Sequence, residues 1–321
     1  MKKILTVILI MAISLTMILM TGCGKTEQQN SDKISVVTTI FPIYDWTMNI
    51  VGDTENVDVS LLLADGVDLH SFQPTVEDIV KISSCDVFIY VGGESDAWIE
   101  DALKEKKNEN MVAINLMDVL GDYKKREEIQ ESMTTSGEED EDEIEYDEHI
   151  WLSLKNAETF VREIANTLSN VDSENAEDYS ENALSYVKKI SELDSEFLFS
   201  VNESKRDTIL FADRFPFRYL VDDYGLNYFA AFPGCAAESE ASFETIAFLA
   251  NKVDELGLDV VLTTESDNFK IADTIISSAK KDAKVVKMDS MQSVTNDDII
   301  GGKTYIRIME DNLEALKEAL R

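Results

Sequence analysis

The chain has few cysteines, few basic residues and few histidines. Each of these scarcities limits the kinds of fold, partner or binding site that the protein can have. Its 321 residues include three cysteines, too few for a fold held together by disulfide bonds. Lysine and arginine total 29 against 63 aspartates and glutamates, so the net charge is −34. A surface this negative repels phosphate, which excludes nucleic acid and anionic lipid headgroups as partners and favours cations.

What remains is a chain with enough apolar residues for a real core. Apolar residues make up 44% of the sequence, and at about 150 residues per domain its length predicts two domains. Short apolar runs alternate with amphipathic segments from Ile34 to Leu116, and again from Thr208 to Leu320. This alternation predicts an α/β fold, with parallel βαβ units in each half and helices on both faces of each sheet.

A single apolar stripe lies between the two halves. Apolar residues recur at spacings of three and four from Ala176 to Phe197, within a segment that has few helix breakers from Glu174 to Glu203. The stripe predicts one long helix that joins two α/β lobes. A coiled-coil dimer would give the same spacing and is the alternative.

The amino terminus is typical of a secreted lipoprotein. Lys2 and Lys3 precede an apolar run, Ile4–Met20, and Gly22 is followed by Cys23. This segment resembles the bacterial lipobox, which implies cleavage after residue 22 and lipidation of Cys23. We therefore expect a signal peptide at 1–22 and a lipid-anchored tether at 23–33, on the extracytoplasmic face of the cell membrane. An uncleaved membrane helix is the alternative, although 17 apolar residues is about the minimum for spanning.

One acidic segment fits neither predicted core. Residues 127–148 contain twelve acidic side chains and no basic one. Such a block repels itself and stays solvated, so the simplest interpretation is a surface loop. A second interpretation is that it concentrates divalent cations near His149, which follows it directly.

The only two histidines are His70 and His149. A single histidine is more often structural than functional, but His70 lies in a loop just past the carboxyl end of the second predicted strand, where open α/β sheets bind ligands. Cys85 and Cys235 are interpreted as small buried side chains, and the alternatives are a disulfide bond or a thiolate metal ligand.

Five blocks resemble one known family, and they occur in the family's order along nearly all of the mature chain. They are Val37–Tyr44, His70–Thr75, Gly93–Ile99, Asp147–Leu152 and Tyr305–Leu313. They are similar to the zinc- and manganese-binding solute-binding lipoproteins of bacterial ATP-binding-cassette (ABC) importers. The resemblance implies two lobes joined by a long backbone helix, with one metal ion in the cleft between them.

The resemblance also implies a ligand set. His70 and His149 match the ligands of the first lobe, and Asp289 corresponds to an aspartate ligand at the end of a late strand. At the third ligand position the family has histidine or glutamate, and this chain has Arg214, which cannot bind a metal ion. Asp213 beside it is our leading candidate, and Glu238, Glu240 and Glu265 are alternatives, as is water or the acidic loop itself. Arg214 either holds a ligating carboxylate in position or forms a surface salt bridge.

We therefore expect a monomeric extracytoplasmic protein that captures a divalent metal ion, Zn²⁺ rather than Mn²⁺, and delivers it to an ABC permease. The domain boundaries we expect are an N-terminal lobe at 34–155, linking helices at 156–205 and a C-terminal lobe at 206–321. The alternatives are a manganese-binding member of the same class and a surface adhesin. No ligand-plus-base motif of a zinc hydrolase is present in the sequence, so an enzyme is not expected.

Overall fold

The computed structural model describes residues 33–64, 66–131, 133, 145–235, 240–265 and 269–321. The expected signal peptide, Cys23, Glu238 and most of the acidic segment lie outside these ranges. Within them, no helix combines the length and apolarity needed to cross a membrane. Residues 34–321 cluster into one unit.

The first lobe is built on four parallel strands in the order β2-β1-β3-β4. β1 and β3 occupy the centre, where residues such as Val36 and Phe88 are fully buried because helices cover the sheet. In chain order the elements are β1 (Ile34–Thr38), α1 (Phe41–Val51), β2 (Val57–Leu61), α2 (Val76–Ser84), β3 (Val87–Tyr90), α3 (Ile99–Lys104), β4 (Val112–Asn115) and α4 (Leu116–Leu120). Short 3-10 turns form at Leu69–Ser71, Gly121–Tyr123 and Ile150–Leu152.

The second lobe repeats this plan, with parallel strands in the order β6-β5-β7-β8. Its elements are β5 (Thr208–Arg214), α7 (Arg218–Tyr224), β6 (Asn227–Phe232), α8 (Phe243–Leu256), β7 (Val260–Thr263), α9 (Lys270–Ser278), β8 (Lys284–Lys287), α10 (Asn296–Ile300) and α11 (Tyr305–Ala319). In each lobe the chain starts at an inner strand, adds one neighbour and then crosses to the other side. That reversal opens a crevice at the carboxyl ends of the strands.

Two helices connect the lobes, α5 (Leu154–Val171) and α6 (Ala176–Asn202). α6 packs against α5 and α1, and also contacts α7 and α11 of the second lobe. Its predicted apolar stripe is buried within the chain, from Tyr179 to Phe197, so no coiled-coil partner is needed to cover it. The predicted fold class, two parallel α/β lobes joined by one long helix, is confirmed.

An ion pair joins the two lobes at the carboxyl ends of their sheets. Arg214, the last residue of β5, places Nη2 2.7 Å from Oδ2 of Asp68, in the loop that follows β2. The loops that carry His70 and Arg214 therefore face each other across the crevice between the lobes.

Candidate metal centre

The two histidines, 79 residues apart in sequence, meet in this crevice. Nε2 of His70 lies 3.2 Å from Nε2 of His149. Two Zn–N bonds of tetrahedral geometry place their nitrogen atoms about 3.3 Å apart. The imidazoles are therefore already spaced as two ligands of one ion.

The ring of His149 is held by a carboxylate. Oδ1 of Asp147 lies 3.0 Å from Nδ1 and accepts a 2.8 Å hydrogen bond from the backbone N–H of His149. A proton on Nδ1 leaves the lone pair of Nε2 free for a metal ion, the arrangement typical of metal-binding histidines. Burial alone would lower the pKa of His149, but Asp147, together with Glu148 and Glu127, raises it.

His70 is oriented by a different set of contacts. Its Nδ1 lies 2.8 Å from Oγ of Ser95 and 3.5 Å from Oε2 of Glu148. Its backbone N–H donates to Oδ1 of Asp68, which caps the 3-10 turn on which His70 lies. Burial, and next the neighbouring His149, lowers the pKa of His70 to about 3. The ring is therefore neutral, as a metal ligand must be.

Arg214 braces the turn that carries His70. Its partner Asp68 uses one oxygen for the guanidinium and the other for the backbone N–H of His70. Burial alone would raise the pKa of Asp68, but Arg214 and His70 lower it. The ion pair is partly buried, since the side chains are 30% and 24% exposed. Arg214 thus contacts a carboxylate that itself accepts from the backbone N–H of a histidine.

Asp213, the expected third ligand, is engaged elsewhere. Its Oδ2 accepts a 2.6 Å hydrogen bond from Oγ1 of Thr264, and its Oδ1 accepts from the backbone N–H of Arg214. These contacts join the ends of β5 and β7. Asp213 is not in the one group of ligand-type side chains that the described residues bring together.

Asp289, the expected fourth ligand, is not in that group either. Its Oδ1 accepts from the backbone N–H of Met291 at 2.7 Å, and its Oδ2 lies 3.8 Å from Nζ of Lys303. Burial, together with the nearby Glu265, raises the pKa of Asp289 to about 6. The alternative Glu265 accepts from the backbone N–H and Oγ of Ser290. The carboxylates of Asp289 and Glu265 thus stabilise the loop that follows β8 in the second lobe.

The group also contains Cys235, which the sequence analysis interpreted as a small buried side chain, with a thiolate ligand as an alternative. His70, His149 and Cys235 place their ligand atoms within 4.8 Å of one another. Cys235 lies in the loop after β6, and neither its spacing nor its neighbours match a metal motif. The one local signal is the glycine before it, because Gly234 lets the backbone come close to His149: a Cβ at this position would lie 3.2 Å from Cε1 of that ring.

Two α/β lobes joined by a long helix, with metal-spaced imidazoles between them, define a two-lobed metal-binding protein. The model of the family described as zinc-uptake complex component A, periplasmic (ZnuA), matches residues 36–319, and the chain belongs to this family. The resemblance found in the sequence is therefore confirmed, and the family is one of zinc-uptake components.

Individual relatives support the same assignment. The chain is 30% identical over 292 residues to the "Zinc-binding protein AdcA" of Streptococcus pyogenes, covering 89% of this chain and 56% of that protein. The chain thus spans little more than half the length of the curated AdcA proteins of Streptococcus pyogenes. It is 29% identical to the "High-affinity zinc uptake system protein ZnuA" of Bacillus subtilis, with 94% of each chain covered. The solved Zn(II)-bound ZnuA-like domain of Streptococcus pneumoniae AdcA matches with a TM-score of 0.71 at 26% identity, covering 90% of this chain and 99% of that domain.

Proposed function

We propose that the chain captures Zn²⁺ outside the cell membrane and delivers it to an ABC permease, with His70 and His149 as ligands. The observation that carries this proposal is the 3.2 Å separation of two Nε2 atoms whose rings are held through their Nδ1 atoms. With the proton of each ring on Nδ1, both Nε2 lone pairs face one point between the lobes. Relatives named as zinc-binding or zinc-uptake proteins support it.

The donor types favour Zn²⁺ over Mn²⁺. Imidazole suits zinc, whereas manganese prefers a mainly oxygen set. Among the described residues, the group that includes both histidines contains no carboxylate. Supporting carboxylates such as Asp147 and Glu148 act on the rings and make the surroundings negative, which favours a divalent cation without supplying the oxygen set of a manganese site.

The sequence and the name of one relative support the cellular location that we propose. A protein of Streptococcus pneumoniae that is 29% identical to this chain is named a zinc-binding lipoprotein. We propose that Cys23 is lipidated after cleavage of residues 1–22 and that the monomer is anchored to the extracytoplasmic face of the membrane.

The binding step is tested by titration calorimetry of residues 34–321 with Zn²⁺ and Mn²⁺. We expect Zn²⁺ to bind more tightly, and His70→Ala and His149→Ala each to weaken Zn²⁺ binding at least about tenfold because each removes one ligand. Asn56→Ala is the matched control, because Asn56 is exposed at the amino end of β2, the strand whose carboxyl end leads to His70. Unchanged affinity in both histidine variants would refute the proposed site.

The delivery step is tested in cells that lack the chain. We expect uptake of radioactive zinc to fall, and to be restored by the unaltered gene but not by the His149→Ala variant. If the unaltered gene and the His149→Ala variant restored zinc uptake equally, uptake would not depend on this metal site.

A further inference from the structure

The two histidines supply donors from the 3-10 turn Leu69–Ser71 and from the residue that precedes the 3-10 turn Ile150–Leu152, and neither comes from the second lobe. In this structure Asp213 accepts a hydrogen bond from Thr264 and Asp289 accepts one from Met291, and neither carboxylate belongs to the group of ligand atoms around the histidines. The loop after β6 supplies Cys235, whose Sγ lies within 4.8 Å of the ligand nitrogens of His70 and His149. A tetrahedral zinc ion separates sulfur and nitrogen ligands by about 3.6 Å, so the thiol needs to move by little more than about 1 Å.

The backbone that leads to Cys235 is held by two sets of contacts. At Gly234 a Cβ would lie 2.9 Å from the backbone oxygen of Phe215 and 3.2 Å from Oδ2 of Asp147, so the loop is packed directly against the centre. The N–H of Cys235 donates a 2.8 Å hydrogen bond to Oε1 of Glu127, at the start of the acidic segment. These contacts to Phe215, Asp147 and Glu127 therefore hold the backbone at Gly234 and Cys235 close to the imidazoles.

We propose that Cys235 is the third ligand of the captured ion, in a centre with two imidazole nitrogens and one thiolate sulfur that spans both lobes. This inference rests on the proposed function, because it assigns a ligand to the same site. The Zn–S bond forms as the thiol proton leaves for solvent, so binding releases one proton. A thiolate in the set selects further for zinc against manganese.

Cobalt substitution tests this ligand directly. Co²⁺ bound by a thiolate has an intense sulfur-to-metal charge-transfer band in the near ultraviolet, which nitrogen and oxygen ligands do not give. Residues 34–321 are titrated with Co²⁺ and then with Zn²⁺ as the unaltered protein, as Cys235→Ser and as Cys85→Ser. Cys85 is the matched control because it is the other cysteine of this unit and is buried in the first lobe, with its Sγ against Met111.

We expect the unaltered protein and Cys85→Ser to show the band. Cys235→Ser should lack it, bind Zn²⁺ at least about tenfold more weakly, and still bind, because both imidazoles remain. A band and an affinity that persist in Cys235→Ser would overturn the inference and leave the proposed function intact. Loss of the function itself has a different signature, in which His149→Ala binds Zn²⁺ as well as the unaltered protein does.

A second measurement does not depend on a variant. Zn²⁺ should protect Cys235 from alkylation by iodoacetamide in the unaltered protein, as measured by peptide mass spectrometry, with Cys85 as the internal reference. Equal alkylation of Cys235 with and without Zn²⁺ would also overturn the inference.

Discussion

Replacing Asp147 by asparagine tests how much the hydrogen bonds that orient His149 contribute to Zn²⁺ binding, without removing a proposed ligand. Oδ1 of Asp147 accepts from both Nδ1 and the backbone N–H of His149, and its side chain is 2% exposed, so water cannot take its place. Asparagine keeps the shape and an acceptor oxygen but loses the charge. A hydrogen bond to a charged group contributes about 1.5–3 kcal/mol, and a neutral one about 1 kcal/mol.

The expected loss is therefore about 0.5–2 kcal/mol of binding free energy, which corresponds to about a two- to thirty-fold weaker affinity for Zn²⁺. Competition with a chromophoric zinc chelator near neutral pH measures it. Asp289→Asn is the matched control, and we expect its affinity to stay within about twofold, because the Asp289 carboxylate contacts Met291 and Lys303 and not the histidines. The reverse result, with Asp289→Asn weakened and Asp147→Asn unchanged, would show that Asp289 is a ligand and that the hold on His149 is unimportant.

Two further predictions concern Arg214 and Asp96. Arg214→His removes a cation from the centre and offers a third imidazole, so Zn²⁺ affinity should rise at least about tenfold in chelator competition, and more than in Arg214→Gln; equal affinity in both variants would contradict this. Burial raises the pKa of Asp96 to about 7, so the folded protein retains a proton that the unfolded chain loses above about pH 4, and stability falls as pH rises from about 4 to 7. Asp96→Asn should remove a pH dependence on the order of 4 kcal/mol from urea unfolding measured across that range, and a slope equal to that of the unaltered protein would refute it.

The features that could be predicted from the sequence are those that depend on repeated patterns. Strand and helix periodicity predicted both sheets, and the stripe from Tyr179 to Phe197 predicted the connecting helix because burial of one face needs that spacing. The structure brings His70 and His149 together at the place where strand-end loops of the two lobes meet. A periodic pattern that extends over a whole strand or helix is compatible with few folds.

The other ligand positions depend on local hydrogen bonds, which no pattern reveals. Position along the chain predicted Asp289 and Asp213, which stay predictions; in the structure a nearby backbone N–H and the hydroxyl of Thr264 donate to their carboxylate oxygens. Cys235 reaches the centre through the conformation of a loop of no special composition. Only the structure, through the missing Cβ of Gly234, shows how closely that loop approaches.

The acidic segment joins the centre at both of its ends, which gives its charge a kinetic role. Glu127 accepts from the N–H of Cys235, Asp147 holds His149, and a bridge between Arg126 and Tyr146 closes the stem. Residues 138–143 lie outside the described residues, but their six acidic side chains are tethered to this stem.

Charge near a binding site speeds the association of an oppositely charged ion, and salt screens this effect. Replacing residues 138–143 by glutamine and asparagine should therefore slow Zn²⁺ association about tenfold at low salt and leave dissociation unchanged, because the charge acts on the approach of the ion. Stopped-flow kinetics at low and high salt measures both rates, and the two proteins should converge as salt rises. A faster dissociation in the substituted protein would instead mean that the segment contributes a ligand to the bound ion.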